Sequence, residues 1–143
     1  MPKIRELKKN DSEEIKELFN QLVVNPKDFG YFKHLDIDLL IKDKNCHCVV
    51  IEHEKRVIGF GSIIIFLTPV YGYKGRIEDV IIHENHRGKG LGKKLSKELV
   101  KIAKRKKVKS IHLTSGPTRI AARKLYESLG FELKETGFFV LNL

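Results

Sequence analysis

The sequence contains no tryptophan and only two cysteines in 143 residues. Two cysteines exclude a disulfide framework and point to a reducing compartment, so a cytoplasmic location is expected. The pair, Cys46 and Cys48, brackets His47. In a strand that spacing turns both thiols to one side, but no second ligand pair follows at metal-site spacing, so no metal is expected. No apolar run is long enough to span a membrane, and the charged stretch Met1 to Asn10 lacks the apolar centre of a secretory signal. Neither internal repeats nor low-complexity segments are present.

Hydrophobic residues make up 41% of the chain, which excludes a disordered polymer. The length suits a single domain over residues 1–143 that buries a core without staples. The net charge of +10, from 28 Lys and Arg against 18 Asp and Glu, fits a nucleic acid, a phosphorylated ligand or plain solubility. The lysines are spread over predicted helices and turns rather than gathered into one aromatic-studded patch, which argues against nucleic acid.

Alternation predicts strands over Lys3–Leu7, Cys46–Glu52, Val57–Phe66, Arg76–His83 and Lys109–Thr114. The second and third read as a hairpin across the polar turn His53 to Arg56, and Gly59 and Gly61 suggest a bulge or a close backbone approach. Asp11 reads as a helix N-cap with Glu14 at capping-box spacing, followed by a helix over Ser12–Val23 that Asn25 and Pro26 end. Leu35–Ile41 reads as a short second helix, and Thr68–Gly75 as a loop. Leu91, Leu95, Leu99 and Ile102 mark a long helix, and Ala122, Leu125, Tyr126 and Leu129 another, stopped by Gly130. The basic run Lys104 to Lys107 complements the dipole at the end of the long helix. Glu132–Glu135 and Phe138–Leu143 are expected to form a closing hairpin around Gly137. The order predicts an α/β (α+β) protein with a mixed sheet and helices on its faces.

The informative stretch runs from Ile77-Glu78-Asp79-Val80-Ile81-Ile82 through His83 to His86 and into Arg87-Gly88-Lys89-Gly90-Leu91-Gly92-Lys93. A strand delivers the chain to a glycine loop that opens a helix. The first backbone N–H groups of a helix lack internal partners and sit at the positive end of its dipole. Glycines let a phosphate approach them, and Arg87, Lys89 and Lys93 add charge, so the place suits a pyrophosphate. A Walker A loop is excluded, because Arg87 stands where it needs glycine and Lys94 where it needs Ser or Thr. The dinucleotide fingerprint fails as well, since Lys93 occupies the position of its third glycine.

With Arg87, Gly90 and Gly92 in place, the loop resembles the acetyl-CoA signature of the GNAT (GCN5-related N-acetyltransferase) superfamily, Gln/Arg-x-x-Gly-x-Gly/Ala. Ala122, Leu125-Tyr126 and Gly130-Phe131 match that family's later motif, and the joint match covers Arg76 to Phe131. The segment from Gly75 to Val80 is also similar to glucosamine-6-phosphate N-acetyltransferases. The resemblance implies a mostly antiparallel twisted sheet of about six to seven strands flanked by about four helices. It implies acetyl-CoA as co-substrate, a homodimer paired through C-terminal strands, and transfer of acetyl to a primary amine of a small molecule, with an amino-sugar phosphate as candidate. It also implies a strand that splays near Val80 to Ile82, with a free N–H from Ile81 or Ile82 for the thioester carbonyl. Tyr126 takes the place of the acid that protonates the departing thiolate, against the plainer reading of a packed aromatic. Many relatives carry Asn seven residues before this tyrosine; Arg119 stands here, to meet a phosphate, a substrate anion or solvent.

A primary amine is mostly protonated at neutral pH, with a pKa of about 10, so a base is needed. The resemblance places Glu78 beside the substrate and so makes it the first candidate, against a strand-edge salt bridge. Asp79 is expected on the opposite face, so that only one of the two reaches the site. His83, His86 and His112 receive no catalytic role. Two rival readings are a coenzyme A-binding sensor without turnover and acetylation of protein or peptide amines. The resemblance implies an acceptor pocket from 25–38 and from Thr68–Lys74, whose aromatics Phe29, Tyr31, Phe32, Tyr71 and Tyr73 suit a partly apolar pocket or only a packed loop.

Overall fold

The computed structural model describes residues 1–22 and 36–143. The expected helix end at Val23, Asn25 and Pro26, and the acceptor candidates Phe29, Tyr31 and Phe32, lie outside the described residues. Within them the order is β1 (Lys3–Glu6), α1 (Ser12–Leu22), α2 (Ile37–Lys42), β2 (Cys46–His53), β3 (Arg56–Thr68), β4 (Gly72–Ile82), α3 (Leu91–Arg105), β5 (Ile111–His112) and α4 (Ile120–Ser128). The strands form one sheet in the order β1-β2-β3-β4-β5. All pairs are antiparallel except β4 with β5, which run parallel.

β3 lies at the centre and is buried on both faces from Val57 to Ile63. One face packs on α3 through Leu91, Leu95, Leu99 and Ile102, together with Val49, Ile51, Ile63, Ile65 and Ile77. The other packs on α1 through Ile15 and Leu18, together with Val50, Phe60 and Ile81. The glycines of β3 answer to close approach: a Cβ on Gly61 would stand 3.1 Å from Leu95, and one on Gly59 2.9 Å from Ile82. Replacing Leu95 by alanine in such a site removes about 2–5 kcal/mol of stability.

Several expectations are corrected. The sheet has five strands among the described residues, not six to seven, because 132–143 pairs with no strand. Phe138 to Leu141 stay exposed there, and Phe138 meets the Arg76 guanidinium at 5.7 Å from its ring centroid. Alternation marks a strand-like face, but a strand also needs an edge to pair with, and β5 offers only two paired residues. The loop expected over Thr68–Gly75 shrinks to Pro69–Tyr71, because Leu67 pairs with Tyr73 and Thr68 with Gly72. The Thr68 hydroxyl donates to the Gly72 carbonyl at 2.8 Å and accepts from the Tyr71 N–H at 3.2 Å, closing the turn.

Asp11 is not the expected cap of α1. It is buried at the end of a short 3-10 turn and accepts two bonds from the Arg5 guanidinium, each 2.9 Å, and one from the Lys8 N–H at 2.8 Å. Glu14 does not close a capping box either; it accepts from the Val57 N–H at 3.0 Å and ties α1 to β3. The hydrogen bonds from Arg5 hold the Asp11 carboxyl below its ordinary value. A group depressed in this way stabilises the fold above its unfolded pKa, and the stabilisation is lost as pH falls through the folded value. Asp11→Asn is therefore expected to lower the unfolding free energy by about 2 kcal/mol at neutral pH. Denaturant titration should show the gap to wild type closing in acid, and a gap independent of pH would contradict this.

Candidate active site

The course of β4 decides the geometry. Gly61 of β3 pairs with Val80 and Ile63 with Ile77, so Ser62 alone faces both Glu78 and Asp79. This is a β-bulge on β4. Ile77 and Val80 both pack on the α3-side core, although three positions apart they would face opposite ways in a regular strand. The two carboxylates between them therefore share the α1-side face, and the expectation that Asp79 points away from Glu78 is wrong. Arg76, which pairs with Ile64 on that same face, forms a salt bridge with Glu78. Asp79 is half-buried. Burial raises its carboxyl above the ordinary value, and the charge of Glu78 adds to this.

Beyond the bulge, His83 donates its N–H to the Ile58 carbonyl at 2.9 Å. Ladder bonds alternate along an antiparallel strand, so Ile81 turns its N–H toward β3, while Val80 and Ile82 turn theirs away. Among the described residues the outward side is open, because β5 pairs only with Gly75 and Arg76. The Arg87 Nε–H donates to the outward carbonyl of Ile82 at 3.0 Å and so anchors the glycine loop to the end of β4.

The loop then reaches α3 through two left-handed glycines, Gly88 and Gly90, each at φ 75°. A Cβ on either would project into open space, so conformation and not crowding demands glycine. Gly90 caps α3 without a side-chain bond, and the helix ladder begins with the Lys94 N–H on the Gly90 carbonyl at 3.1 Å. The N–H groups of Leu91, Gly92 and Lys93 precede that bond and have no acceptor within the helix. They border an open cavity of about 300 Å³ between the loop, Ile82 and the α4 residues Ala121, Ala122 and Leu125. Gly92 keeps α3 and α4 close, since a Cβ there would lie 3.3 Å from Leu125. Lys93 and His86 border the cavity as well, and Lys89 is exposed beside it.

Tyr126 does not line that cavity. Its half-buried ring packs edge-on against Phe131, 5.8 Å between centroids. Burial raises its phenol above the ordinary value, and Arg119 pulls weakly the other way. Arg119 is exposed at the start of α4. The structure thus gathers Ile82, Arg87 to Lys93 and α4 on the α3 side of the sheet, and Glu78 and Asp79 on the other. Nothing local in the sequence marks Asp79 for this face, because the cause of the bulge lies in the partner strand. Among the described residues, no group of three or more His, Cys, Asp or Glu side chains is placed to hold a metal ion, and no helix is long and apolar enough to cross a membrane.

Known proteins resemble this chain in sequence and fold. The model of the acetyltransferase (GNAT) family matches residues 12–131, and the chain belongs to that family. It is 35% identical over 98 residues to a spermine/spermidine N(1)-acetyltransferase of Bacillus subtilis, a match covering 62% of this chain and 63% of that one. It is 34% identical over 82 residues to a glucosamine 6-phosphate N-acetyltransferase of Trypanosoma brucei brucei, covering 56% of this chain and 54% of the relative. Both matches thus span less than two thirds of those enzymes' own lengths. Among solved structures, one described as a transcriptional regulator from Bacillus halodurans superposes with a TM-score of 0.87 at 27% identity, covering 99% of this chain and 100% of the other.

The loop geometry predicts anion binding by itself. Inorganic pyrophosphate is expected to raise the melting temperature of the wild type, since a ligand of the native state adds stability. Gly90→Asp should abolish the shift by placing a carboxylate before the helix start, whereas Gly90→Asn, which tolerates the left-handed conformation, should keep part of it. An undiminished shift in Gly90→Asp would move the anion elsewhere.

Proposed function

We propose that this protein transfers an acetyl group from acetyl-CoA to a primary amine of a small molecule, with an amino-sugar phosphate as the candidate acceptor. The observation that carries the reading is the pairing of two features across β4: a left-handed glycine cradle on one face of the sheet and a bulge presenting carboxylates on the other. Membership of the GNAT family supports it.

The cradle fits the pyrophosphate of the coenzyme. Its unpaired N–H groups at Leu91, Gly92 and Lys93 bind phosphate oxygens, and Arg87, Lys89 and Lys93 counter their charge. Arg119 adds a positive charge at the start of α4. When bound, acetyl-CoA supplies the acetyl group as a thioester open to attack by an amine. The outward N–H groups of Val80 and Ile82 line the open edge of β4 as donors to the carbonyl oxygen, and Ile81 holds the strand between them. A backbone donor so placed lowers a barrier by about 3 kcal/mol. Tyr126 keeps its proton at neutral pH, because burial disfavours the phenolate, and it gives that proton to the departing sulfur. The acceptor arrives as an ammonium and must lose a proton. The resemblance assigns that step to Glu78, and the bulge adds Asp79 as a second claimant.

The adjacent carboxylates favour a second acceptor class, polyamines, which the spermine/spermidine relative also supports. We also propose a homodimer that covers the exposed Phe138, Phe139, Val140 and Leu141, acting in the cytoplasm. Sedimentation at micromolar concentration should give a dimer, and a monomer would contradict this.

A thiol-release screen over glucosamine 6-phosphate, spermidine, amino acids and peptide N-termini tests the activity. Turnover of a small amine is expected; acetylation of peptide or protein amines alone would overturn the small-molecule reading. With the best acceptor, Tyr126→Phe should lower kcat by about 10²-fold, the scale of a positioned acid. KM for acetyl-CoA should hardly change, because the lost interaction belongs to the transition state. Wild-type kcat in Tyr126→Phe would show that the proton comes from elsewhere.

A further inference from the structure

We infer that Asp79, and not Glu78, takes the proton from the acceptor amine, with Glu78 holding the local charge through Arg76. The inference rests on the acetyl-transfer reading and adds to it the identity of the base. A general base needs a lone pair that is accessible, unoccupied and close in proton affinity to its task. The bulge brings both carboxylates to one face, so orientation does not choose between them. Their surroundings do.

Glu78 is exposed and its carboxylate is occupied by the Arg76 guanidinium. An acceptor ammonium there would compete with a fixed cation. Asp79 is half-buried, and among the described residues its carboxylate makes no hydrogen bond or salt bridge. It is therefore a carboxylate with an open place for one cation. Among the described residues, the titratable groups facing it are Glu78 on its own strand and Cys46 and Cys48 on β2, with Asp43 beyond those thiols. The α1 residues of the core on this face of the sheet, Ile15 and Leu18 with Phe19 against them, are apolar. The nearby cation, Arg76, is taken by Glu78. Burial, first, and the charge of Glu78 favour the protonated carboxyl, so Asp79 takes up a proton more readily than a solvated aspartate.

The protons balance. The acceptor ammonium gives one proton to an Asp79 carboxylate oxygen, which frees the nitrogen lone pair. The C–N bond forms as the C–S bond breaks, and Tyr126 protonates the sulfur. The second proton lost by the nitrogen restores Tyr126, and Asp79 releases the first to solvent.

The test uses the full chain, acetyl-CoA and whichever of glucosamine 6-phosphate or spermidine the wild type turns over. Asp79→Asn should lower kcat/KM for the acceptor by about 10²-fold or more at pH 7, the scale of a lost base. The loss should shrink as pH rises toward the amine pKa, where the neutral amine no longer needs a base. KM for acetyl-CoA should stay near the wild-type value, and Asp79→Glu should recover part of the rate. Glu78→Gln should cost less than about tenfold and keep the shape of the wild-type pH profile. Carboxyl-carbon NMR of the free protein adds a readout without turnover: a resonance missing from Asp79→Asn should titrate above the ordinary aspartate range. The inference is overturned if Asp79→Asn keeps the wild-type rate, if its loss is independent of pH, if Glu78→Gln changes the profile instead, or if Asp79 titrates below that range. A wild type that acetylates no amine, while Asp79 titrates high, would instead reject the acetyl-transfer reading on which the role depends.

Discussion

The arrangement depends on one packing demand: Ile77 and Val80 of β4 must both bury against α3. A regular strand cannot satisfy it, because residues three apart face opposite ways. The chain meets the demand with an extra residue opposite Ser62. That residue places Glu78 and Asp79 together on the far face and turns Ile82 back toward α3 as the strand ends. The Ile82 carbonyl is then free to receive Arg87, which fixes the start of the glycine loop. The shared face of the carboxylates and the anchor of the glycine loop thus have a single cause, and they lie on either side of one strand.

Charge is sorted in the same way. On the α3 side, Arg87, Lys89, Lys93 and the free N–H groups of the first turn make a positive concavity. On the α1 side, one of two carboxylates pairs with Arg76, and among the described residues the other has no partner. A net charge of +10 would by itself suit many anions. Its local opposite, a negative spot behind a positive cradle, suits a reaction that brings a cationic amine to a phosphate-bearing donor. Tyr126 belongs to neither patch; in the proposed reaction its raised phenol would hold a proton until the sulfur leaves.

What was legible in the sequence follows physical range. The glycine loop could be read because left-handed backbone and an uncapped helix start leave a residue-level mark at Gly88 and Gly90. The faces of α1 and α3 followed from the spacing of Ile15 and Leu18 and of Leu91, Leu95 and Leu99. The bulge left no mark, because Ile77 to Ile82 reads as a strand in either register, and the partner strand decides which one holds. Asp11 and Glu14 carry the spacing of a capping box, yet Arg5 and the Val57 N–H, reached only through tertiary folding, claim their carboxylates. Phe138 to Leu143 shows strand-like alternation, but no edge among the described residues receives it.

The most direct test of this account is a crystal structure of the protein with coenzyme A bound. The account predicts pyrophosphate oxygens on the backbone N–H groups of Leu91, Gly92 and Lys93, with the thiol beside the open edge of β4 at Ile82. A coenzyme held away from the Gly88–Gly90 loop, or a thiol on the far side of the sheet from that edge, would contradict it.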